Sequence, residues 1–125
     1  MVAATFLTSL LILILIEVYY WNSYSVCEIC RFHPQLGWET IPSKTVANEK
    51  LTYTTNSLGM RSREIDYSKE HILIVGDSVA FGLGVNNNET VSHYLEQNKM
   101  ISKLGYQILN ISSPGYGIGQ YYLNL

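Results

Sequence analysis

The sequence has few charged residues and no excess of positive charge, which excludes one broad class of function. Asp, Glu, Lys and Arg make up 14% of the 125 residues, and the formal net charge is −2. Proteins that bind nucleic acid need a basic surface that neutralises phosphate groups. We therefore expect no nucleic-acid partner. The length is sufficient for one small domain at most, and no internal repeat divides the chain.

Cysteine is also scarce, which argues against a zinc site. Cys27 and Cys30 are the only two cysteines, and they form a single C-x-x-C. Zinc needs four ligands, and His33 would add only one, because no second Cys or His pair has a suitable spacing. A redox motif is expected where a strand ends and a helix begins, whereas this one follows an apolar segment. A structural or incidental pair is favoured, and we expect no metal.

The N-terminal segment has no charged side chain before Glu17 and has the length of a membrane span. If residues 1–20 are helical, they extend over about 30 Å, the thickness of the hydrocarbon core of a bilayer. Tyr19, Tyr20 and Trp21 then lie where interfacial aromatic residues belong. The sequence therefore predicts a single-pass transmembrane signal-anchor over 1–21, and the lack of a basic residue at its start leaves the orientation open.

Two alternatives compete with this anchor. A cleaved signal peptide would begin with basic residues, which are absent, and its best small-x-small site, at 23–25, lies well past the apolar stretch. A buried helix of a soluble core is the second alternative, but a wholly apolar exterior suits lipid better.

Between 22 and 70 the sequence indicates an irregular lead-in. Pro34, Pro42 and isolated aromatic residues interrupt any regular pattern. Residues 51–55 (LTYTT) are compatible with a short strand, and the following NSLGMRS is typical of a turn in which Gly59 supplies the permissive backbone.

From residue 71 onward the pattern predicts a βαβ unit. Ile72–Val75 form a short apolar run that is typical of a strand buried on both faces. Apolar residues then recur at helical spacing, with Asn88 able to cap the helix and Gly105 able to end it. A second strand covers 106–110. The two strands should be parallel with a right-handed crossover, so the loops that follow them should leave the same edge of the sheet.

Those two loops carry the residues that suit acyl-transfer chemistry. Ser78 follows the first strand, and Gly115 lies in the loop after the second. A serine nucleophile needs a base for its proton and N–H donors for the oxyanion, and the backbone amides of Ser78 and Gly115 would make a partial oxyanion hole. Taken alone, a Gly-Asp-Ser is more often a surface turn. A phosphate loop is disfavoured because Asn87 stands where its third glycine would be, and Ala80 excludes the G-x-S-x-G elbow.

Two blocks of sequence resemble the SGNH, or GDSL, hydrolases. ILIVGDSVAFGLGV is similar to the first block of that family, and ILNISSPGYGIGQ is similar to its second block. LGW, Pro42 and TNSLGMRS further resemble the run-up of membrane-anchored bacterial members. The resemblance covers 71–125 and, more loosely, the lead-in from Leu36. It implies that 71–125 is the first βαβ part of a flavodoxin-like, three-layer α/β hydrolase fold.

The resemblance also assigns roles to individual residues. Ser78 would be the nucleophile and the first oxyanion donor, and Gly115 the second donor. Gly76, Asp77 and Asn110 would shape the two loops, and Asp77 would not be the acid of a catalytic triad. No cofactor is implied.

The third and last blocks of the family, which supply an oxyanion Asn and a D-x-x-H, have no counterpart in these residues. None of His33, His71 and His93 has Asp three positions before it. We therefore expect an N-terminal portion of a membrane-anchored ester hydrolase or acyltransferase, with the α/β domain outside the cytoplasm and inactive by itself. Its substrate would be an acyl ester, including carbohydrate- or lipid-linked ones, and its intermediate acyl-Ser78. The alternative is a non-catalytic, membrane-anchored module that retains half of the fold.

Overall fold

The computed structural model describes residues 2–23 and 27–125, and within them the strands pair as three separate two-stranded sheets. The elements in chain order are α1 (Val2–Ser23), β1 (Cys30–His33), β2 (Gly37–Thr40), β3 (Thr45–Ala47), β4 (Thr52–Thr54), β5 (His71–Ile74), α2 (Ser78–Phe81), a 3-10 turn (Asn87–Glu89), α3 (Val91–Gln97), α4 (Lys99–Leu104), β6 (Gln107–Asn110) and α5 (Ile118–Leu123).

The N-terminal helix corrects the prediction of a membrane anchor. The predicted helix is present as α1 (Val2–Ser23), with side chains described from Thr5 to Tyr19. Within the described part of the chain, no helix combines the length and the apolar character needed to cross a membrane. The predicted transmembrane signal-anchor over 1–21 and the single-pass localisation are therefore wrong. The side chains of Tyr20 and Trp21 and the candidate cleavage site at 23–25 lie outside the described residues.

Two antiparallel hairpins lie within the 22–70 lead-in, where the sequence pattern indicated only one strand. Strand β1 pairs with β2 from Cys30 opposite Thr40 to His33 opposite Gly37, and a Cys27–Cys30 disulfide precedes it. Strand β3 pairs with β4. The strand predicted near 51–55 is confirmed as β4.

The predicted turn around Gly59 is also confirmed. Gly59 has a φ of +81°, and the side chain of the buried Asn56 accepts hydrogen bonds from the backbone N–H groups of Leu58 and Met60. The turn directs the chain along β6, where Arg61 N–H donates to the carbonyl of Asn110 at 3.1 Å.

Strands β5 and β6 pair in parallel, from His71 opposite Gln107 to Ile74 opposite Asn110. The helical crossover and the parallel pairing agree with the predicted βαβ unit. The expectation that the first strand is buried on both faces is wrong, because Ile72 and Leu73 are 36% and 45% exposed. Among the described strands β5 has only β6 as a neighbour, whereas β6 is buried along its whole length.

The crossover helix is broken where a single helix was predicted. Asn98 adopts extended backbone angles, and its side chain accepts from Met100 N–H, so that it ends α3 and caps α4. Thr90, not Asn88, caps the first piece by accepting from His93 N–H. A side chain that satisfies a free N–H at a helix start competes with continuation of the helix. Gly105 ends α4 in the left-handed conformation, as predicted.

The fold-class prediction as a whole is wrong. A flavodoxin-like, three-layer fold needs one sheet of several parallel strands with helices on both faces. The described residues instead form a small mixture of helices and two-stranded sheets. The core is correspondingly small. Among the described residues, its buried apolar side chains are Ile29, Leu36, Phe81, Ile108, Leu109, Ile111 and Tyr116.

Two glycines with similar positive φ angles provide a test of the contact between Gly59 and Thr40 of β2. A Cβ on Gly59 would lie 2.5 Å from the carbonyl oxygen of Thr40, whereas a Cβ on Gly84 (φ +92°) would meet nothing within 4 Å. Left-handed backbone costs a side chain about 1–2 kcal/mol, and overpacking adds about 1–3 kcal/mol. We expect Gly59→Ala to lower the free energy of unfolding, measured by urea denaturation, by more than the matched control Gly84→Ala. Equal losses would contradict the contact with Thr40.

Candidate functional site

Two loops leave β5 and β6 at the same end of the parallel pair. We call residues 76–86 the serine loop and residues 111–117 the glycine loop. Ile111 N–H donates to the carbonyl of Ile74 at 2.9 Å, and Ser113 N–H donates to the carbonyl of Gly76 at 3.1 Å. Ser78 lies two residues after Gly76, and Gly115 lies two residues after Ser113. The loops therefore meet at one edge of the sheet, as the βαβ pattern indicated.

Ser78 is the first residue of α2 and is half-buried. A cavity of about 380 Å³ borders it, lined also by Gly82, Leu83, Val85 and Glu89. The first N–H groups of a helix have no acceptor within the helix. In the described part of the chain, the N–H of Ser78 donates no hydrogen bond.

Asp77 and Gly76 shape the start of the serine loop. The carboxylate of Asp77 accepts from Val79 N–H at 2.9 Å and thereby caps α2. A Cβ on Gly76 would lie 2.5 Å from the Cβ of Ala80, so only glycine permits the close approach of α2 to the strand end. The carboxylate of Asp77 is thus engaged within its own loop.

Asn110 joins the two loops and is fully buried. Its Nδ2 donates to the carbonyl of Ala80 at 2.8 Å, and its Oδ1 accepts from Ser112 N–H at 3.1 Å. Its backbone N–H donates to Ser62 Oγ at 2.6 Å. The side chain thus fixes α2, and with it Ser78, relative to the glycine loop.

Gly115 has a φ of +79°, and its N–H makes no hydrogen bond among the residues that the structure describes. Trp38 from β2 lies beside it, because a Cβ on Gly115 would be 3.1 Å from the Trp38 ring. The indole Nε1–H donates to the carbonyl of Pro114 at 2.8 Å. Two unengaged backbone donors, on Ser78 and Gly115, thus belong to neighbouring loops.

Arg61 holds the far side of the serine loop, a role that the sequence did not indicate. Its guanidinium is buried and donates to the carbonyls of Phe81, Gly82 and Val85. It also stacks over the rings of Tyr53 and Phe81, 4.6 and 5.0 Å from their centroids. Desolvation by burial lowers the pKa of Arg61. A lone Arg beside a glycine turn carries no signal in one sequence that distinguishes it from a surface residue.

The three histidines lie away from the serine. His71 begins β5 at the opposite end of the strand, with Nε2 3.1 Å from the carbonyl of Asp66. His33 accepts hydrogen bonds in its own hairpin from the N–H groups of Gln35 and Leu36. His93 on α3 lines a separate cavity of about 430 Å³, together with Arg61 and Arg63. None of these contacts involves Ser78.

No family model matches the chain, and no curated protein matches it. The resemblance to SGNH hydrolases therefore stays a prediction that depends on the two sequence blocks. In the described residues, no group of three or more His, Cys, Asp and Glu side chains is arranged to hold a metal ion.

Replacing Arg61 tests its hold on the serine loop. Arg61→Met leaves the three carbonyls without their charged donor, and hydrogen bonds to charged groups contribute about 1.5–3 kcal/mol each. We expect the free energy of unfolding to fall by at least about 2 kcal/mol. The matched control is Arg63→Met, whose side chain is 76% exposed in its ion pair with Glu96 and should cost less than about 1 kcal/mol. Similar losses of unfolding free energy for Arg61→Met and Arg63→Met in a urea titration would contradict the hold of Arg61 on the serine loop.

The phenol of Tyr116 provides a test by pH. It is buried and donates to the carbonyl of Trp38 at 2.9 Å. Burial raises the pKa of Tyr116, the Glu39 charge adds to this shift, and a nearby Ser113 hydroxyl partly opposes it. Because the pKa is higher in the folded state, the stability from this group is full below about pH 10 and declines as pH rises through the folded pKa.

The stability difference between wild type and Tyr116→Phe should therefore shrink above about pH 10. Tyr122→Phe, in which the altered ring is 81% exposed, is the control and should show no such trend. If the difference in unfolding free energy between wild type and Tyr116→Phe stays constant from pH 8 to 11, the Tyr116 phenol is not a buried hydrogen-bond donor.

Proposed function

We propose that this protein is a serine-dependent ester hydrolase or acyltransferase of the SGNH type, with Ser78 as the nucleophile. The observation that carries the proposal is the pairing of a half-exposed serine at a helix start with two unengaged N–H donors, on Ser78 and Gly115. Donors of this kind stabilise the negative charge that develops on a carbonyl oxygen during acyl transfer. The resemblance of both loops to the family blocks points to the same chemistry.

The proposed reaction has two steps. The Oγ of Ser78 attacks the acyl carbon, its proton passes to a base, and the carbonyl oxygen becomes an oxyanion between the two N–H donors. Collapse of this intermediate breaks the ester C–O bond, and the leaving alcohol takes the proton from the base. Water in a hydrolase, or a second hydroxyl such as that of a sugar in an acyltransferase, then attacks acyl-Ser78 and passes its proton to the base. The bond between the acyl carbon and Ser78 Oγ breaks, and Oγ takes that proton back from the base.

The reaction requires a general base, an imidazole by family resemblance, within hydrogen-bond reach of Ser78 Oγ. His33, His71 and His93 make their contacts elsewhere. The proposal therefore needs a general base that does not come from the observed contacts of His33, His71 and His93. The same observation favours a second candidate, a non-catalytic module that uses the two donors to bind a carboxylate or another anion.

A fluorophosphonate probe distinguishes these candidates in the full-length protein. An activated serine displaces fluoride and becomes phosphonylated, whereas an unactivated serine does not react at a comparable rate. We expect labelling at Ser78, its loss in Ser78→Ala, and a fall in ester turnover of several orders of magnitude. Ser102→Ala, at an exposed position on α4, is the matched control and should label like wild type. A folded wild type that stays unlabelled would reject the enzyme in favour of the anion-binding module.

A further inference from the structure

The peptide unit between Pro114 and Gly115 has both of its polar ends in the site. In a trans peptide the C=O of one residue and the N–H of the next lie in one plane and point in opposite directions. Trp38 Nε1–H donates to the carbonyl of Pro114 at 2.8 Å. Whatever fixes the direction of that carbonyl therefore also fixes the direction of the Gly115 N–H.

Contacts with Tyr116 hold Trp38 in place beside the Pro114 carbonyl. The backbone carbonyl of Trp38 accepts the phenol of Tyr116 at 2.9 Å, and the two rings pack 6.1 Å apart at 52°. Tyr116 of the glycine loop thus donates a hydrogen bond to Trp38, the residue that donates to Pro114 of the same loop. Gln120 Nε2 also donates to the carbonyl of Leu36 at 2.7 Å, which ties the start of α5 to the same hairpin.

The fit around Gly115 is close on the side of the ring. A Cβ on Gly115 would lie 3.1 Å from Cζ2 of Trp38, and the φ of +79° is strained for any other residue. The six-membered part of the indole thus covers the α-carbon of Gly115, while its pyrrole N–H holds the preceding carbonyl. Rotation of the 114–115 peptide would break the hydrogen bond.

We propose that Trp38 is the positioning residue for the second oxyanion donor. It contacts neither Ser78 nor the substrate, and acts only by aiming the Gly115 N–H through the Pro114 carbonyl. This inference rests on the proposed function, because an oxyanion must form for the donor to matter. It assigns to the β1–β2 hairpin a part in catalysis that the two family blocks by themselves do not contain.

Loss of the indole N–H should reduce kcat and leave KM nearly unchanged. Removing an oxyanion donor altogether typically costs about a hundred- to a thousandfold in rate. Trp38→Phe keeps the donor but releases its direction, so we expect a smaller loss, about 10- to 100-fold. The oxyanion exists only after attack on the ester, and ground-state binding should therefore be spared.

The experiment compares wild type, Trp38→Phe and Phe32→Leu in the full-length protein. Phe32 is the cross-strand partner of Trp38 and is 80% exposed, so its substitution changes the same hairpin without touching the Pro114 carbonyl. Hydrolysis of a short-chain nitrophenyl ester gives kcat and KM, and the fluorophosphonate gives the rate of labelling at Ser78. The Gly115 amide signal in a ¹⁵N-correlated spectrum reports the peptide orientation without any reaction. Replacing Trp38 by its sulfur isostere, benzothienylalanine, removes the N–H while keeping the ring if Trp38→Phe does not fold.

The expected result is a loss of kcat and of labelling rate, with a shifted Gly115 amide, in both Trp38 variants and not in Phe32→Leu. A wild type that labels at Ser78, with unchanged kcat in a folded Trp38 variant, would overturn this inference and leave the proposed function standing. A wild type that does not label would overturn both. A kcat loss shared equally by Phe32→Leu would show that the hairpin acts only through general stability, which also overturns the inference.

Discussion

The buried side chain of Asn110 is the constraint on which the arrangement of this site depends. It is fully buried at the end of β6, where an unpaired amide would be costly, and each of its polar groups has a partner. Those partners lie in three different parts of the chain: Ser62 in the lead-in, Ala80 in α2 and Ser112 in the glycine loop. A hydrogen-bonded buried network of this kind rigidifies what it joins. The Asn110 amide therefore links the serine loop directly to the glycine loop and to the lead-in.

Residues of the lead-in also hold the serine loop and the glycine loop, and they do so by donating hydrogen bonds to backbone carbonyls of both loops. Arg61 binds carbonyls of the serine loop, and Trp38 binds the carbonyl of Pro114 in the glycine loop. Engaging the C=O groups holds the loops in shape while the N–H groups of Ser78 and Gly115 remain available. Donors held in this way need no reorganisation when negative charge develops beside them, which is the condition under which such donors are most effective.

The sequence was informative where a local pattern decides the structure. Strand β6, the parallel pairing, the Gly59 turn and the Gly105 helix end all follow from short-range signals. The break at Asn98 was missed because its capping amide outweighs an apolar periodicity that continues through it. Ile72 looked like a residue of a strand covered on both faces, but coverage depends on neighbouring strands that no window of sequence reports. Trp38 and Arg61 lie in the segments LGW and TNSLGMRS, but the sequence did not indicate their roles, because their partners lie at Pro114 and in the serine loop, far along the chain.

In the proposed function, oxyanion stabilisation and nucleophile activation depend on different groups. The two N–H donors are positioned by Asn110, Arg61 and Trp38, and none of these contacts depends on a base next to Ser78. Such donors bind a developing negative charge whether or not the serine is activated, whereas a protonated hydroxyl remains a weak nucleophile. The proposed anion-binding module would use the donors alone, whereas the proposed acyl-transfer enzyme needs an imidazole within reach of Ser78 as well. The two candidate functions therefore differ by a single group rather than by the architecture of the loops.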